Sequence, residues 1–497
     1  MDTHVEQEVK LKVPPRFDLH ALEAGVDGYT ASPVEEQKLT TVYYDTDDLR
    51  LIRWGASLRY RKGHGWTLKL PAGDDDGIAS KRVEHTFPDD GGAKPPKEGL
   101  ELVTAFLRGK QVMPVARLRT VRKSLRLHGA AGEGIAEVVD DTVRVMHDGR
   151  VANRFREVEI ELLDGASESL LDDLTQWLRD AGAGPPDKTP KAMRALGAAA
   201  QVPAELAFPT PTEDSPAGDV VRYALAASVK ALLCGDAPLR LNMDAELVHK
   251  ARVATRKLRS DLRTLLPLMN ENWATSLRDD VKWLGDELGA VRDADVLVTR
   301  LRRNAMKLPG DDRDAAEAVI DRFEAQSTAA RQRLHAILRE KRYVKLLDEL
   351  VEAASNPQLS EDGLCPAADV VPQLVQKPWK KLCKAIDELG EQPDDDMLHQ
   401  VRIKAKRCRY AAEAVAPVVG KQATRFAKRV AKIQTILGDL HDAVVAEEKQ
   451  HRIKGDRDEV FVAGALAAME GLAANEARSS WRKAWKKASK KGLRFWS

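Results

Sequence analysis

The chain has little cysteine, few aromatic residues and no long apolar run. Its four cysteines, Cys234, Cys365, Cys383 and Cys408, are widely separated and form no CxxC pair. This spacing supports neither a zinc site nor a disulfide framework and is typical of a reducing compartment. No segment approaches the ~18 uninterrupted apolar residues that cross a bilayer, and the first residues, MDTHVEQEVKLKV, lack the apolar core of a signal peptide. We therefore expect a cytoplasmic protein without a transmembrane segment.

A large charge of one sign is also missing. The 79 Lys and Arg residues nearly balance the 77 Asp and Glu residues, so the formal net charge is +2. This balance argues against a uniformly basic coat for nucleic acid, although segregated charges can still form basic patches. At 497 residues the chain is too long for one compact core, and two or three domains are expected.

The pattern of residues changes near position 200. Residues 1–200 contain short segments of alternating polar and apolar residues between turn signals, which predict β-strands, with helices at 97–107 and 167–181. A Pro-rich linker is predicted at 201–217, and residues 218–497 are predicted to be almost entirely helical. The alternating segments are VEQEVKLKV (5–13), LTTVYYD (39–45), ASLRYRK (56–62), WTLKL (66–70), KRVEHTF (81–87), RLRTVRKSLRL (117–127), GIAEVVDDTVRVM (134–146) and FREVEIELL (155–163). The first part should be an α+β sheet or barrel.

The helical part contains an internal repeat. The segment HKARVATRKLRSDL, from His249, matches HQVRIKAKRCRYAA, from His399, 150 positions later. A second pair, LGDELGAVRDADVL (284–297) and IQTILGDLHDAVVA (433–446), aligns with an offset of 149 at its shared glycine. We interpret residues 218–497 as an all-α domain of two duplicated helical bundles, at about 218–350 and 373–497.

Several predicted strands carry like-spaced charges on one face. Residues i and i+2 of a strand point the same way, so Glu6, Glu8 and Lys10 share a face, and Glu157, Glu159 and Glu161 share another. The same spacing occurs in Arg59/Arg61, Thr67/Lys69, Arg82/Glu84 and Arg117/Arg119. Each strand could simply turn a solvated face outward. If the strands close into a barrel, however, the interior suits a linear polyanion carrying a divalent cation.

These motifs resemble the CYTH domain of triphosphate tunnel metalloenzymes. The resemblance covers about residues 3–200 and depends on ExExK from Glu6, YYDTDDLRL, GASLRYR, TLK and a late EVEIE. It implies an eight-stranded antiparallel barrel that hydrolyses tripolyphosphate, thiamine triphosphate or nucleoside triphosphates with Mg²⁺ or Mn²⁺. A few members of this family are adenylyl cyclases.

The resemblance also implies roles for individual residues. Catalytic roles fall to Glu6, Glu8, Lys10, Glu159 and Glu161, and metal binding to Glu6, Glu8, Glu157, Glu159, Glu161 and Asp140. Phosphate binding in the tunnel falls to Lys10, Arg59, Arg61, Lys69, Arg117, Arg119 and Lys188. Glu137 and Asp140 occupy further acidic positions, with Asp141 competing for the second. The Ser-Lys pair of the family is replaced here by Asp187-Lys188.

The two repeated helices each carry a row of basic residues. A spacing of 3, 4, 3 and 4 places the first row on one side of its helix, and the second row has the same rhythm. The first row is His249, Arg252, Arg256, Arg259 and Arg263, and the second is His399, Arg402, Lys406 and Arg409. These cations could flank the core with their charged ends in water. A row of repelling like charges is easier to explain if an anion lies across it.

This repeat resembles the CHAD domain, a helical module that binds inorganic polyphosphate. The resemblance covers about residues 218–497 and implies polyphosphate binding by both basic rows. Two substitutions distinguish the halves, because Lys406 stands where Arg256 does and His441 where Arg292 does. The tail WRKAWKKASKKGLRFWS (481–497) has seven basic residues and no acids, which would allow contact with RNA, a membrane surface or polyphosphate, or docking through its tryptophans.

The sequence thus predicts metal-dependent hydrolysis of inorganic triphosphate or short polyphosphate, with polyphosphate binding by the helical domain. The alternatives are a polyphosphate-binding protein without activity, a nucleoside or thiamine triphosphatase, and an adenylyl cyclase. We expect no specific nucleic-acid partner and consider association with polyphosphate granules. The sequence is compatible with a homo-oligomer and does not define the oligomeric state.

Overall fold

The computed structural model describes residues 1–26, 28–72, 79–89, 94–163 and 165–496, except the side chain of Asp311. The chain divides into two compact units, Met1–Ala204 and Glu205–Ser497. The division falls inside the Pro-rich segment 201–217, where the sequence changes from strand to helix periodicity.

The first unit is built mainly of β-strands. Its strands are β1 (Asp2–Lys12), β2 (Thr30–Ala31), β3 (Glu35–Asp45), β4 (Ser57–Arg61), β5 (Gly65–Pro71), β6 (Ser80–Phe87), β7 (Met113–His128), β8 (Gly134–His147) and β9 (Arg150–Leu162). Its helices are α1 (Arg50–Arg53), α2 (Lys97–Leu102), α3 (Thr104–Leu107), α4 (Leu170–Asp180) and α5 (Lys191–Leu196). The helices predicted at 97–107 and 167–181 correspond to α2 with α3 and to α4.

Eight of these strands close into an antiparallel barrel. The order is β7-β3-β4-β5-β6-β1-β9-β8, and β8 pairs back with β7, while the two-residue β2 adds to the outside edge of β7. Closure leaves no unpaired edge in the ring. The predicted eight-stranded barrel is confirmed.

The apolar faces of the strands lie on the outside of the barrel. Val9 and Leu11 of β1 and Val158 and Ile160 of β9 pack in one core with α4, which covers them with an apolar side that includes Leu174. Because alternate residues point to opposite faces, the charged residues between them point into the barrel. The helix therefore allows the barrel to keep a polar interior.

One end of the barrel interior is filled by apolar side chains. Tyr43 of β3, Leu118 of β7 and Val143 of β8 pack with Ala192 of α5 and with Ala200. Helix α5 therefore plugs this end, and the open part of the interior lies on the other side of it.

The second unit is helical. Its helices are α6 (Ala217–Leu241), α7 (Ala245–Thr264), α8 (Glu271–Ala305), α9 (Gly310–Ile337), α10 (Lys341–Ser355), α11 (Ala367–Val370), α12 (Gln376–Asp387), α13 (Asp395–Val419), α14 (Lys421–His451) and α15 (Arg457–Ala488). Helices α6, α7, α8 and α9 pack each on the next, and α12, α13, α14 and α15 do the same. The corresponding helices of the two halves also meet, α7 with α13 and α9 with α15. Asp244 and Asp394 cap the N-termini of α7 and α13 with their carboxylates. The predicted duplication is confirmed.

The C-terminal segment is docked on the second unit. Trp481 is buried, Trp485 packs against Trp379, and Trp496 packs against Phe426 and Trp379. Among the residues that the structure describes, α15 is the one helix with the length and hydropathy to cross a membrane, with a mean hydropathy of 1.2 in its most apolar window. This is weak evidence for insertion, because a core helix of a soluble domain meets the same criterion.

Candidate active site and basic helical surface

The open part of the barrel interior is a cavity of about 200 Å³ to which all eight strands of the ring contribute. Its lining has seven cationic and five carboxylate side chains. The cations are Lys10, Arg59, Arg61, Lys69, Arg82, Arg122 and Lys191, and the carboxylates are Glu6, Glu8, Glu84, Glu159 and Glu161. The two acidic strands predicted from the sequence are neighbours, with Glu8 opposite Glu161 and Lys10 opposite Glu159.

Lys10 joins the carboxylates of β1 and β9. Its Nζ lies 2.7 Å from Oε1 of Glu8 and 3.1 Å from Oε1 of Glu159. Burial disfavours its charge, but Glu159 and Glu8 outweigh burial and raise the pKa of Lys10. Lys10 is therefore a fixed cation in the centre of the cavity.

A second lysine holds the carboxylates of β1 and β6. Lys69 contacts both carboxylate oxygens of Glu6 and lies 2.9 Å from Oε2 of Glu84. Burial opposes the charge of Lys69, but Glu6 overcomes it and raises its pKa. Arg59 lies 3.9 Å from Glu84 on the same side, so both cations are available to a ligand that displaces these carboxylates.

Two cations that the sequence did not single out complete the lining at the plugged end. Lys191, the first residue of α5, contacts Glu159 and lies 2.7 Å from Asp141 and 3.2 Å from Glu157. Arg122 donates to both carboxylate oxygens of Asp141, at 2.9 and 2.7 Å. Three acidic neighbours outweigh burial and raise the pKa of Lys191, so both side chains are held as cations.

Three of the predicted phosphate-binding residues do not line the cavity. Arg117 and Arg119 are exposed on β7, because Leu118 and Thr120 turn inward at the plugged end. Lys188 is exposed, and Lys191 occupies the cavity instead. Their predicted placement in the tunnel is wrong.

Asp140 and Asp141 lie on opposite faces of β8, and this decides which of the two points into the barrel. Asp140 points outward and accepts two hydrogen bonds from Arg156, at 2.8 and 2.6 Å, whereas Asp141 points inward to Arg122. The placement of Asp140 among the metal-binding carboxylates is therefore wrong. Glu137 stands outside the lining, 3.6 Å from Arg126.

Glu157 lies behind the cavity lining. It is fully buried, with Lys191 at 3.2 Å and Arg194 at 2.8 Å. Burial raises the pKa of Glu157 despite these cations. Its contacts make it a support for Lys191 and α5, and they place it outside the open space.

The end of the cavity away from α5 is rich in carboxylates. Burial, followed by repulsion from Glu6, raises the pKa of Glu161 to about 7, and Glu8 and Glu84 add to this repulsion. A divalent cation would relieve it, and carboxylate oxygens are the ligands that Mg²⁺ and Mn²⁺ prefer. In the described part of the chain, no three His, Cys, Asp or Glu side chains are already arranged to hold a metal ion. Glu6, Glu8 and Glu161 fit the ion in donor chemistry once Glu6 and Glu8 exchange their contacts with Lys69 and Lys10.

In the helical unit, the two basic rows lie close together where α7 packs against α13. Burial first, and then Arg256, Arg402 and Arg252, lower the pKa of Lys406 to about 7. Arg252 donates to the carbonyl of Gly289 at 3.2 Å. A Cβ at Gly289 would lie 3.6 Å from its guanidinium, and one at Gly438 would lie 3.6 Å from that of Arg402. The glycines of the repeat therefore leave room for the corresponding arginines of both halves.

The two rows differ at their ends. Arg409 is paired with Glu413 at 2.7 Å, and Arg263 is exposed at the end of α7. The rings of His399 and His441 lie 4.1 Å apart between centroids. Burial, and then Arg402, lower the pKa of His441 to about 4, so this histidine is neutral near pH 7, unlike the arginine at the matching position of the first half.

Comparison with known proteins gives the family. The family model of the CYTH domain matches residues 4–193, and that of the CHAD domain matches residues 223–449. The chain is 34% identical over 510 residues to "Uncharacterized protein Rv2226" of Mycobacterium tuberculosis strain H37Rv, with 96% of this chain and 94% of the relative covered. It therefore belongs to the CYTH–CHAD proteins, in which a triphosphate tunnel domain precedes a CHAD domain. CYTH enzymes are typically metal-dependent triphosphatases or cyclases.

Two solved structures resemble parts of the chain. PptA from Streptomyces chartreusis is 23% identical, with 55% of this chain and 100% of PptA covered, at a TM-score of 0.47. The CHAD domain from the plant Ricinus communis is 24% identical, with 56% of this chain and 94% of that chain covered, also at a TM-score of 0.47.

Proposed function

We propose that the tunnel domain hydrolyses inorganic triphosphate or short polyphosphate with Mg²⁺ or Mn²⁺, and that the helical domain binds polyphosphate. The observation that carries this proposal is the barrel cavity, in which seven cations and five carboxylates surround about 200 Å³. Interleaved charges of both signs suit a ligand that brings its own negative charge together with a metal ion.

The lining favours an inorganic substrate over a nucleotide. Tyr43 is the one aromatic side chain among the described lining residues, and it is already packed against the apolar plug. A nucleobase would find no second ring to stack on. The cations, in contrast, are spread along the cavity, from Lys191 at the plug to Lys69 and Arg59 towards the other end.

Substrate binding would exchange ion pairs. Phosphate oxygens would take Lys10, Lys69 and Lys191 from their present carboxylate partners, because phosphate carries more charge than one carboxylate. Arg59 and Arg122 can donate two hydrogen bonds each to a phosphate group. The plug formed by α5 would limit how far the chain of phosphates enters, so that a terminal phosphate reaches Lys191.

The released carboxylates would hold the metal. Glu6, Glu8 and Glu161 would supply its oxygen ligands at the end away from α5, with Glu159 nearer the centre. When bound, the ion supplies charge neutralisation on the phosphates and a more acidic water. The opposed Glu8 and Glu161 would orient the attacking water in line with the phosphoanhydride bond.

The helical domain would bind longer phosphate chains along the two basic rows. Lys406, Arg256 and Arg402 repel one another in the free protein, and a polyanion would remove that repulsion. Such binding would hold the enzyme on polyphosphate, including cytoplasmic granules, and would raise the local concentration of substrate at the tunnel.

Phosphate release from tripolyphosphate, measured separately with Mg²⁺ and Mn²⁺, tests the proposal. Glu8→Gln keeps the shape of the side chain but removes its charge, and should lower kcat at least about 100-fold. Glu35→Gln, at an exposed position of β3, is the matched control and should keep full activity. If the wild-type protein releases no phosphate with either metal but still binds long polyphosphate, the hydrolase proposal is wrong. The protein would then be a polyphosphate-binding protein without activity. Release of cyclic AMP from ATP would indicate a cyclase instead.

A further inference from the structure

A second cavity lies in the helical unit, between the end of α7, the segment 362–381 and α13. Its volume of about 440 Å³ lies in the range of small-molecule sites. The floor is aliphatic and is formed by Leu266, Leu268, Val370 and Leu374. Leu266, Val370 and Leu374 are only half-buried, so their apolar surface is accessible from the cavity.

The rim of this cavity is cationic. Five basic residues line it, Arg263, Lys377, Lys381, Lys404 and Arg407, against two acidic residues, Asp362 and Asp369, which leaves a formal net charge of +3. None of the five forms an ion pair within 4.0 Å with a residue that the structure describes. Within the described residues, the rim therefore carries more positive than negative charge, and its five cations are not held in ion pairs.

Arg263 shows how these charges act on one another. Partial burial, followed by repulsion from Arg407, Arg278 and Arg259, lowers its pKa to about 10. An anion bound beside Arg263 and Arg407 would remove this repulsion.

This cavity is separate from the two basic rows. A helix turns about 100° per residue, so Lys404 points about 200° away from Arg402, and Arg407 about 100° away from Lys406. The cavity therefore uses a different face of α13 from the row that contains Arg402 and Lys406. Only Arg263, at the end of α7, belongs to a basic row and also lines the cavity.

We propose that this cavity binds a small organic phosphate, a phosphate ester with a compact apolar body. The guanidinium groups of Arg263 and Arg407 suit the phosphate group, and the aliphatic floor, including Leu374, suits the body attached to it. An inorganic phosphate chain would satisfy the rim but would leave the floor exposed to water. The proposal does not depend on the chemistry of the barrel.

Binding of 8-anilinonaphthalene-1-sulfonate to the full-length protein tests the site, because this probe joins an apolar body to an anion. Arg407→Ala should weaken binding about tenfold, which corresponds to the loss of one charge-assisted hydrogen bond. Leu374→Gln should weaken binding by a similar factor, because it replaces part of the aliphatic floor with a polar side chain. Lys230→Ala, at an exposed lysine of α6 outside the cavity, should leave the affinity unchanged. Far-UV circular dichroism checks that each variant is folded.

Competition identifies the ligand class. Phenyl phosphate should displace the probe at concentrations about tenfold lower than inorganic phosphate, because only the ester covers the floor. Equal displacement by both, or by tripolyphosphate at the same concentration as phenyl phosphate, would overturn the proposal and make the cavity an extension of the basic rows. Unchanged probe affinity in both Arg407→Ala and Leu374→Gln would overturn it as well.

Discussion

Lys406 is expected to destabilise the free protein, and its replacement by methionine should raise the free energy of unfolding. The side chain is largely buried beside Arg256, Arg402 and Arg252, and burial with this repulsion lowers its pKa from 10.5 to about 7. Methionine has a similar length and carries no charge, so Lys406→Met keeps the packing and removes the repulsion.

The size of the effect follows from the pKa. The fall of the pKa from 10.5 to about 7 corresponds to an upper limit of about 5 kcal/mol, at ~1.36 kcal/mol for each tenfold change in the acid dissociation constant. Local relaxation and bound counterions reduce this value, so we expect a gain of about 1–3 kcal/mol at pH 7.

The gain should depend on pH in a defined direction. Between pH 7 and 10.5 the unfolded chain binds a proton at Lys406 that the folded protein has released, so the stability of the wild-type protein rises with pH in this window. The gain in stability from Lys406→Met is therefore largest below pH 7 and disappears towards pH 10.5.

The same variant should bind polyphosphate about tenfold more weakly, because a cation has been removed from the proposed surface.

Urea unfolding followed by far-UV circular dichroism, at pH 6.5 and pH 9.5, measures the gain in stability and its dependence on pH. Lys230→Met, at an exposed position of α6, controls for the loss of one positive charge elsewhere. A variant that is less stable than the wild type at pH 6.5, or a difference that does not change with pH, would refute the reasoning.

Three further changes test other parts of the structure. Arg122→Ala should lower kcat/KM for tripolyphosphate at least about tenfold, whereas Arg119→Ala should have no effect, in a phosphate-release assay. Glu470→Ala should lower the free energy of unfolding by about 2–4 kcal/mol in urea, because it leaves the partly buried Arg300 without its buried carboxylate partner. Trp496→Ala should lower the thermal midpoint by removing the packing on Trp379 and Phe426, with a loss of about 1–3 kcal/mol.

Each of these predictions has a clear opposite outcome. Equal losses of activity in Arg122→Ala and Arg119→Ala would mean that the inner face of β7 has been assigned incorrectly. Unchanged stability in Glu470→Ala would show that the guanidinium of Arg300 is solvated by water or pairs with another acidic side chain. Unchanged stability in Trp496→Ala would mean that the tail does not dock in solution.

Most of the architecture could be read from the order of the residues. Period-2 alternation in segments such as VEQEVKLKV and FREVEIELL identified strands, because the side chains of a strand must divide between two faces. The helical repeat was visible because His249 and His399 begin matching segments 150 residues apart. The strand segment at the start of β3, Glu35 to Lys38, was missed, since it has no apolar alternation and is held by its pairing with β7.

What the sequence by itself determined, then, is which residues share a face: Glu6 with Glu8, and Glu159 with Glu161. It could not say which face of each strand turns inward, because that depends on which helices cover the barrel. Only the tertiary structure turns Leu118 inward against α5, so that Arg117 and Arg119 point to solvent and Arg122 enters the cavity. The position of Lys191 was equally hidden, because a contact between α5 and β8 joins residues 50 positions apart in the chain. Local periodicity is a property of neighbouring residues, whereas the interior of a barrel is defined by strands that meet only after folding.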